Sequence, residues 1–281
     1  MDGYLIFDNH FHLNYENNFL EGARRFKKAG GNAINLTNLP DYSLPSENYY
    51  KTIYERTISM ANAVRRETGL TVLVTLGPYP LDYNHFSEMN LDSENIVKNG
   101  IDLAAKLIEE GVANAMGEIG RPHFPVSDSI IDKSNNLLEY AFSRCGELEC
   151  PAILHTEDLD NARIEEMEDF ARRNGLNPTK IIKHHALPSN LLKDSKMNFS
   201  IPATRKFVRE SISTKKKFLL ETDYINDPKD DNRFLPPDSV PLRANMIRQN
   251  YPDSWEQTFK NTFRDLPLEI FGSEPFKCLL Q

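Results

Sequence analysis

Apolar runs of strand length alternate with longer amphipathic stretches along nearly the whole chain. Strand-like runs occupy Tyr4 to Asp8, Asn32 to Thr37, Thr71 to Leu76, Ala113 to Glu118, Ala152 to His155, Lys180 to His184, Met197 to Ile201 and Phe218 to Asp223. Between them a helical period covers Phe19 to Ala29, Asn48 to Glu67, Asn95 to Glu110, Ser134 to Glu147, Ala162 to Asn174 and Arg205 to Ser213. A short piece around Leu191 and a tail from Leu242 complete the pattern. Gly30-Gly31, Gly69 and Gly111 stand where the first three helices stop, since glycine accepts the left-handed backbone that closes a helix. Eight β/α units in 281 residues predict the α/β class and a closed (β/α)8 TIM barrel, with its chemistry at the C-terminal ends of the strands. Two connections exceed what the units need, Gly77 through Ser93 and Tyr224 through Pro241. Both leave the carboxyl face and are expected as walls or lids there.

Composition narrows this frame. A hydrophobic fraction of 40% supports a large core, and with no repeat or linker residues 1–281 are expected to form one barrel domain. There is no apolar run of bilayer length, and Met1-Asp2-Gly3 leads straight into the first strand, so a cytoplasmic protein without a membrane partner is expected. Cys145, Cys150 and Cys278 lack metal-finger spacing and are expected as reduced packing residues. A net charge of -8 excludes a protein whose task is to coat nucleic acid, though not a nuclease whose metal centre supplies local positive charge. Lys215-Lys216-Lys217, with Arg205, Lys206 and Arg209, reads as a solvated face.

Polar residues cluster where a barrel places its chemistry. The first strand ends in His10 and His12, the fourth in Glu118, the fifth in His155, the sixth in His184-His185 and the eighth in Asp223. Alternate strand residues share a side, so His10 and His12 can serve one ion. Imidazoles and carboxylates are the ligand types of Zn²⁺ and similar ions. Six ligands exceed one tetrahedral site, so two ions sharing a carboxylate are expected: His10, His12 and Asp223 on one, His155 and His184 on the other, Glu118 between. His184 and His185 face opposite ways. His184 is assigned as the ligand and His185 to the loop or to a place behind the ligands.

The set resembles the TatD-like branch of the metal-dependent amidohydrolase superfamily. The resemblance is carried by Asp8-Asn9-His10-Phe11-His12-Leu13, Gly117-Glu118-Ile119-Gly120, Ile153-Leu154-His155, Lys183-His184 and Leu220-Glu221-Thr222-Asp223, in family order. The likeness is nearest to an archaeal group of predicted hydrolases, through Phe26-Lys27-Lys28-Ala29-Gly30-Gly31, Gly120-Arg121-Pro122-His123-Phe124-Pro125 and Glu221-Thr222-Asp223-Tyr224-Ile225. It implies a hydrolase with two divalent ions (Zn, Mg or Mn) and a metal-activated hydroxide, acting on phosphodiesters as TatD-type deoxyribonucleases do. In that family a strand-four glutamate replaces a modified lysine, and Glu118 looks like that residue. Two departures weigh on the nuclease reading. Thr156-Glu157-Asp158 follows His155 where the family carries an arginine before an aspartate, and Gly77-Pro78-Tyr79-Pro80 replaces a histidine-bearing segment.

Asp223 is the expected proton acceptor as well as a ligand, and Asp8 is expected to orient a ligand histidine. Arg121 is either a bidentate anion contact or a structural ion pair. His123 is a partner behind the ligands, a substrate contact or a packing residue. The substrate is a nucleic acid or a small molecule, and no obligatory protein partner is evident. Alternatives are a hydrolase of a small amide, lactone or phosphate ester, a mononuclear deaminase-like enzyme, and a non-enzymatic barrel that binds a metal or metabolite.

Overall fold

The computed structural model describes residues 4–227 and 235–280. Eight parallel strands follow one another around a barrel in chain order: β1 Phe7–Phe11, β2 Ala33–Thr37, β3 Thr71–Leu76, β4 Ala115–Gly120, β5 Ala152–His155, β6 Ile181–Lys183, β7 Asn198–Pro202 and β8 Leu219–Glu221. The ring closes between last and first strands. Asp223 N donates to His10 O at 3.0 Å, His12 N donates to Tyr224 O at 2.8 Å, and Phe11 bridges Tyr224. Asp8 reinforces this seam, accepting from the Thr222 hydroxyl at 2.7 Å and the Thr222 amide at 3.0 Å.

The helices are α1 Leu20–Lys28, α2 Tyr49–Thr68, α3 Asp82–Glu88, α4 Ser93–Glu109, α5 Asp128–Leu148, α6 Asn161–Arg173, α7 Arg205–Ser213, α8 Ser239–Asn250, α9 Trp255–Lys260 and α10 Leu266–Phe271. Outward residues such as Ile34, Val72, Met116, Leu154 and Leu220 form one core with the buried faces of these helices, including Phe26, Val64, Ala104 and Phe142. Inward residues Ala115, Ile153, Ile182 and Leu219 pack instead on Leu266 and Ile270, and Phe7, Ala33 and Leu73 on Phe276. The C-terminal segment therefore plugs the barrel floor with apolar surface, leaving the opposite mouth for polar chemistry. None of the described helices is long and apolar enough to cross a membrane.

Several boundaries differ from the sequence expectation for identifiable reasons. β1 starts at Phe7 and not Tyr4, because Leu5 N is taken by Phe263 O at 2.6 Å in the floor of the barrel. β8 stops before Asp223, whose backbone is left-handed at φ 52°. α5 begins six residues before Ser134 and α8 begins at Ser239, three before Leu242. The short piece around Leu191 is a 3-10 turn, Pro188–Leu192. Lys215, Lys216 and Lys217 are exposed at the entry to β8, at the end of the barrel away from the histidines of the strand ends. In the Tyr224 to Pro241 excursion, residues 228–234 lie outside the described residues, as do residues 1–3.

The other long connection contains α3 and is a fixed wall. At its first turn Asp82, almost fully buried, accepts from the hydroxyls of Tyr42 at 3.0 Å and Tyr50 at 2.9 Å and from Tyr79 N at 2.9 Å. Burial lifts this carboxyl to about 7 against hydrogen bonds that favour its charged form. A folded pKa above the unfolded value favours folding below about pH 4, and that contribution is lost as pH rises through 7. Wild type should therefore lose stability relative to Asp82→Asn by a few kcal/mol, on the order of the shift itself, between pH 4 and 8. Paired denaturant melts across that range check this; a flat difference would refute the assignment.

Candidate metal centre

Two irregularities aim the candidate ligands. Between Asp8 and Phe11 strand β1 advances three residues while β2 advances two, from Ile34 to Leu36. Between Gly117 and Ile119 strand β4 advances two while β5 advances one, from Ile153 to Leu154. Each is one extra residue, and each inverts which residues face inward beyond it. Phe7 faces the interior, yet Phe11 lies in the outer core against Phe26 and Tyr224, so His10 and His12 turn inward. Ala115 is interior and Ile119 is in the outer core, so Glu118 turns inward. The glycines of Gly117-Glu118-Ile119-Gly120 are steric necessities. A Cβ on Gly117 would lie 2.8 Å from Ile153 Cβ. At Gly120, with φ +144°, it would lie 2.2 Å from His155 O.

Glu118 stands at the middle of the resulting cluster. Its Oε1 lies 2.6 Å from His10 Nε2 and 3.1 Å from His12 Nε2. Its Oε2 lies 2.8 Å from His155 Nδ1 and 3.7 Å from His184 Nε2. Asp223 Oδ1 joins the first pair, 3.4 Å from His12 and 3.8 Å from His10. His155 Nδ1 and His184 Nε2 are 2.9 Å apart. Donor sets within 4.8 Å are thus formed by His10, His12, Glu118 and Asp223, by Glu118, His155 and His184, and by His10, His184 and Glu221. Atoms each about 2 Å from a shared ion lie roughly 3 Å from each other, and these spacings have that scale.

Hydrogen bonding supports the same fit. His12 Nδ1 lies 3.0 Å from Thr37 O, which can only accept, so Nδ1 carries the proton. Nε2 then presents a lone pair to two carboxylates and to His10 Nε2, 3.0 Å away. That arrangement requires a cation. Without a metal the cation is a proton: burial opposes it, but Asp223 and Glu118 raise His12 to about 10. Burial opposes charge on Glu118 as well, yet His184, His10 and His155 hold it well below the usual carboxylate range. His12 with Glu118 and Asp223 is therefore a site built for positive charge.

The remaining expected residues take varied places. His184 faces the cluster, while His185 adopts φ 50° and turns Nδ1 toward Asp223 Oδ2 at 3.6 Å, its side chain 61% exposed. Asp8 accepts from the backbone amide of His10 at 3.2 Å, and so fixes the strand that carries the imidazole. Arg121, 1% exposed, donates to Glu157 at 2.7 Å and Glu166 at 2.9 Å, the structural ion pair of the two readings. His123 Nδ1 lies 2.8 Å from His155 Nε2 at the rim. His85 stacks on Tyr42 with ring centroids 4.1 Å apart.

Two residues quoted within the family-like motifs were given no role from the sequence. Glu221 is fully buried and accepts from His185 N at 2.6 Å. Leu219 faces inward, and two-residue alternation along β8 turns Glu221 inward too. Lys183 is buried with its ammonium on the carbonyls of Thr156 at 3.1 Å and His184 at 2.8 Å, tying together the chain beside His155 and His184. Its signals were a lysine inside an apolar strand and its place next to His184.

Above the cluster lies a cavity of about 570 Å³, with Leu39, Pro40, Tyr79 and Ile225 on its apolar side and Glu157 and Asp158 on its acidic side. The family model for TatD related DNase matches residues 7–268. An uncharacterized protein from Methanocaldococcus jannaschii is 27% identical over 232 residues, 80% of each chain. The phosphotriesterase homology protein from Escherichia coli, solved with phosphate in its active site, has a TM-score of 0.63 at 13% identity, over 96% of this chain and 100% of that one. The TatD-like protein from Archaeoglobus fulgidus has a TM-score of 0.59 at 13% identity, over 88% and 94%. These structural likenesses show a shared barrel fold, and the family match spans every strand and every ligand-type residue of the cluster. The chain belongs to the family of TatD-related DNases and is a metal-dependent hydrolase.

Proposed function

We propose that residues 1–281 act as one hydrolase domain that cleaves phosphodiester bonds with two divalent ions. His10, His12 and Asp223 hold one ion, His155 and His184 the other, and Glu118 bridges them. The observation that carries this is the division of Glu118, with one oxygen facing one imidazole pair and the second oxygen facing the other. Zn, Mg and Mn all accept such ligands, and imidazole-rich sets favour Zn. When bound, the ions lower the pKa of water and polarise the scissile bond.

The chain supplies position and a proton path. Asp223 is the proton acceptor: its side chain is 22% exposed toward the cavity, against 7% for Glu118. Burial raises its pKa, but His12 and His185 outweigh this and keep it charged. His185, exposed and beside Asp223, gives the proton a route to solvent. The free cysteines, two of them buried, support a cytoplasmic setting.

A second reading, hydrolysis of a small lactone, amide or phosphate ester, rests on the cavity's cations. Among its described lining residues the one Lys or Arg is Lys183, already bonded to two carbonyls, and Arg121 sits behind Glu157. A polyanion would find its counter-charge mainly in the ions. The test is a panel of single-stranded DNA, a nitrophenyl phosphodiester, lactones and amides with Mg²⁺, Mn²⁺ or Zn²⁺. DNA and phosphodiester turnover that is abolished in His10→Ala is expected. Lactone or amide turnover alone would select the second reading, and no metal-dependent turnover would defeat both.

A further inference from the structure

We infer that Glu221 is a shared positioning residue that orients one ligand imidazole from each half of the centre, and so couples the two halves. This rests on the two-ion reading above. His10 and His184 are stacked, with ring centroids 4.1 Å apart and planes 18° apart. Their Nε2 edges face the two oxygens of Glu118, at 2.6 and 3.7 Å. Their Nδ1 atoms, on the other edge of the stack, are both buried without a hydrogen-bond partner.

Glu221 supplies what those nitrogens lack. It is 0% exposed, its Oε1 lies 3.6 Å from His184 Nδ1, and its Oε2 is itself buried and unpartnered. A ring nitrogen of His10, one of His184 and an oxygen of Glu221 all lie within 4.8 Å of one another. An imidazole that offers its Nε2 lone pair to an ion carries its proton on Nδ1 and needs an acceptor there. His12 has one in the Thr37 carbonyl. Glu118 faces the Nε2 atoms of His10 and His184, so the other carboxylate grouped with both rings is Glu221, and an unmatched buried donor would be costly. The bond from His185 N at 2.6 Å fixes Oε1, so the carboxylate is held in place before any ion arrives.

The carboxylate that otherwise spans the two halves is Glu118, on the Nε2 side of the stacked His10 and His184 rings. Glu221 gives them a second link, made through the rings and not through the ions. Glu221→Gln tests it, because the amide puts an N–H₂ where an acceptor is required, while its oxygen can still serve His185 N. Calorimetric titration of metal-free protein with Co²⁺, and the visible spectrum of the Co²⁺ form, report the ligand field independently of turnover. Both Co²⁺ affinities are expected to fall about 10–100-fold, with altered visible bands. The melting temperature of the metal-free protein should hold or rise, since a buried charge has gone.

Glu221→Asp, which keeps the carboxylate but shortens its reach, should recover part of the affinity and the wild-type band positions. It also carries the test if the glutamine variant does not fold. Wild-type affinity in the variants, or weakening of one ion alone, would overturn the coupling role. Wild-type protein that takes up no Co²⁺ would overturn the two-ion reading and this role with it.

Discussion

Glu118→Gln is expected to leave a folded barrel that holds neither ion, with kcat/KM lowered by about 10⁴-fold, roughly 5 kcal/mol of transition-state stabilisation. The carboxylate presents an acceptor to each of two imidazole pairs, at 2.6 and 3.1 Å on one oxygen and 2.8 and 3.7 Å on the other. An amide of the same shape keeps one acceptor and places two donors where the second stood. One half loses a ligand outright, and the other loses the charge that balances its ion. The fold should survive, because the barrel floor and outer core are apolar and remote from this side chain. Metal analysis, circular dichroism and kcat/KM together check the outcome. A variant with two ions and activity within tenfold of wild type would remove Glu118 from the bridging role.

Asp223→Asn is expected to separate binding from chemistry. Most of the metal should remain, because two imidazoles, His10 and His12, and Glu118 surround the same position. KM should change little, and kcat should fall about 10³-fold, within the range for loss of a positioned acid or base. The direction follows from where Asp223 sits: its backbone is held at φ 52°, a left-handed conformation uncommon for a residue with a side chain, and its carboxylate reaches both His12 and His185. Steady-state kinetics on metal-loaded protein decide the matter. A kcat within tenfold of wild type at full metal content would mean that the proton leaves by another route.

The barrel itself was legible because its strands and helices have distinct hydrophobic periods and glycines punctuate the helix ends. The ligand types were legible because charged and imidazole groups rarely end an apolar strand without a task. Their inward aim was not derivable by counting from the start of the strand. Strict alternation from Phe7 sends His10 outward, and alternation from Ala115 sends Glu118 outward; an extra residue in each strand reverses both. Bulges depend on pairing with a neighbour, which a single strand's sequence does not encode. Arg121 was ambiguous for a related reason, since its partner Glu166 is 45 positions away on α6. Glu221 was hidden beside Asp223, which stood at the very end of the strand-like run and so took the ligand role first.

The seam between β8 and β1 carries a consequence for how the protein comes into being. Asp223 and Tyr224 bond to the backbone of His10 and His12, and Thr222 bonds to Asp8, joining positions separated by 214 residues in the last case. Such a contact closes late, since its loop spans most of the chain. A partly synthesised chain has the histidine pair but not its carboxylate, and a chain cut before β8 has no ring to hold the pair in place. Catalytic competence therefore waits on the segment through Tyr224, and a form that stops short of it lacks the seam that closes the ring.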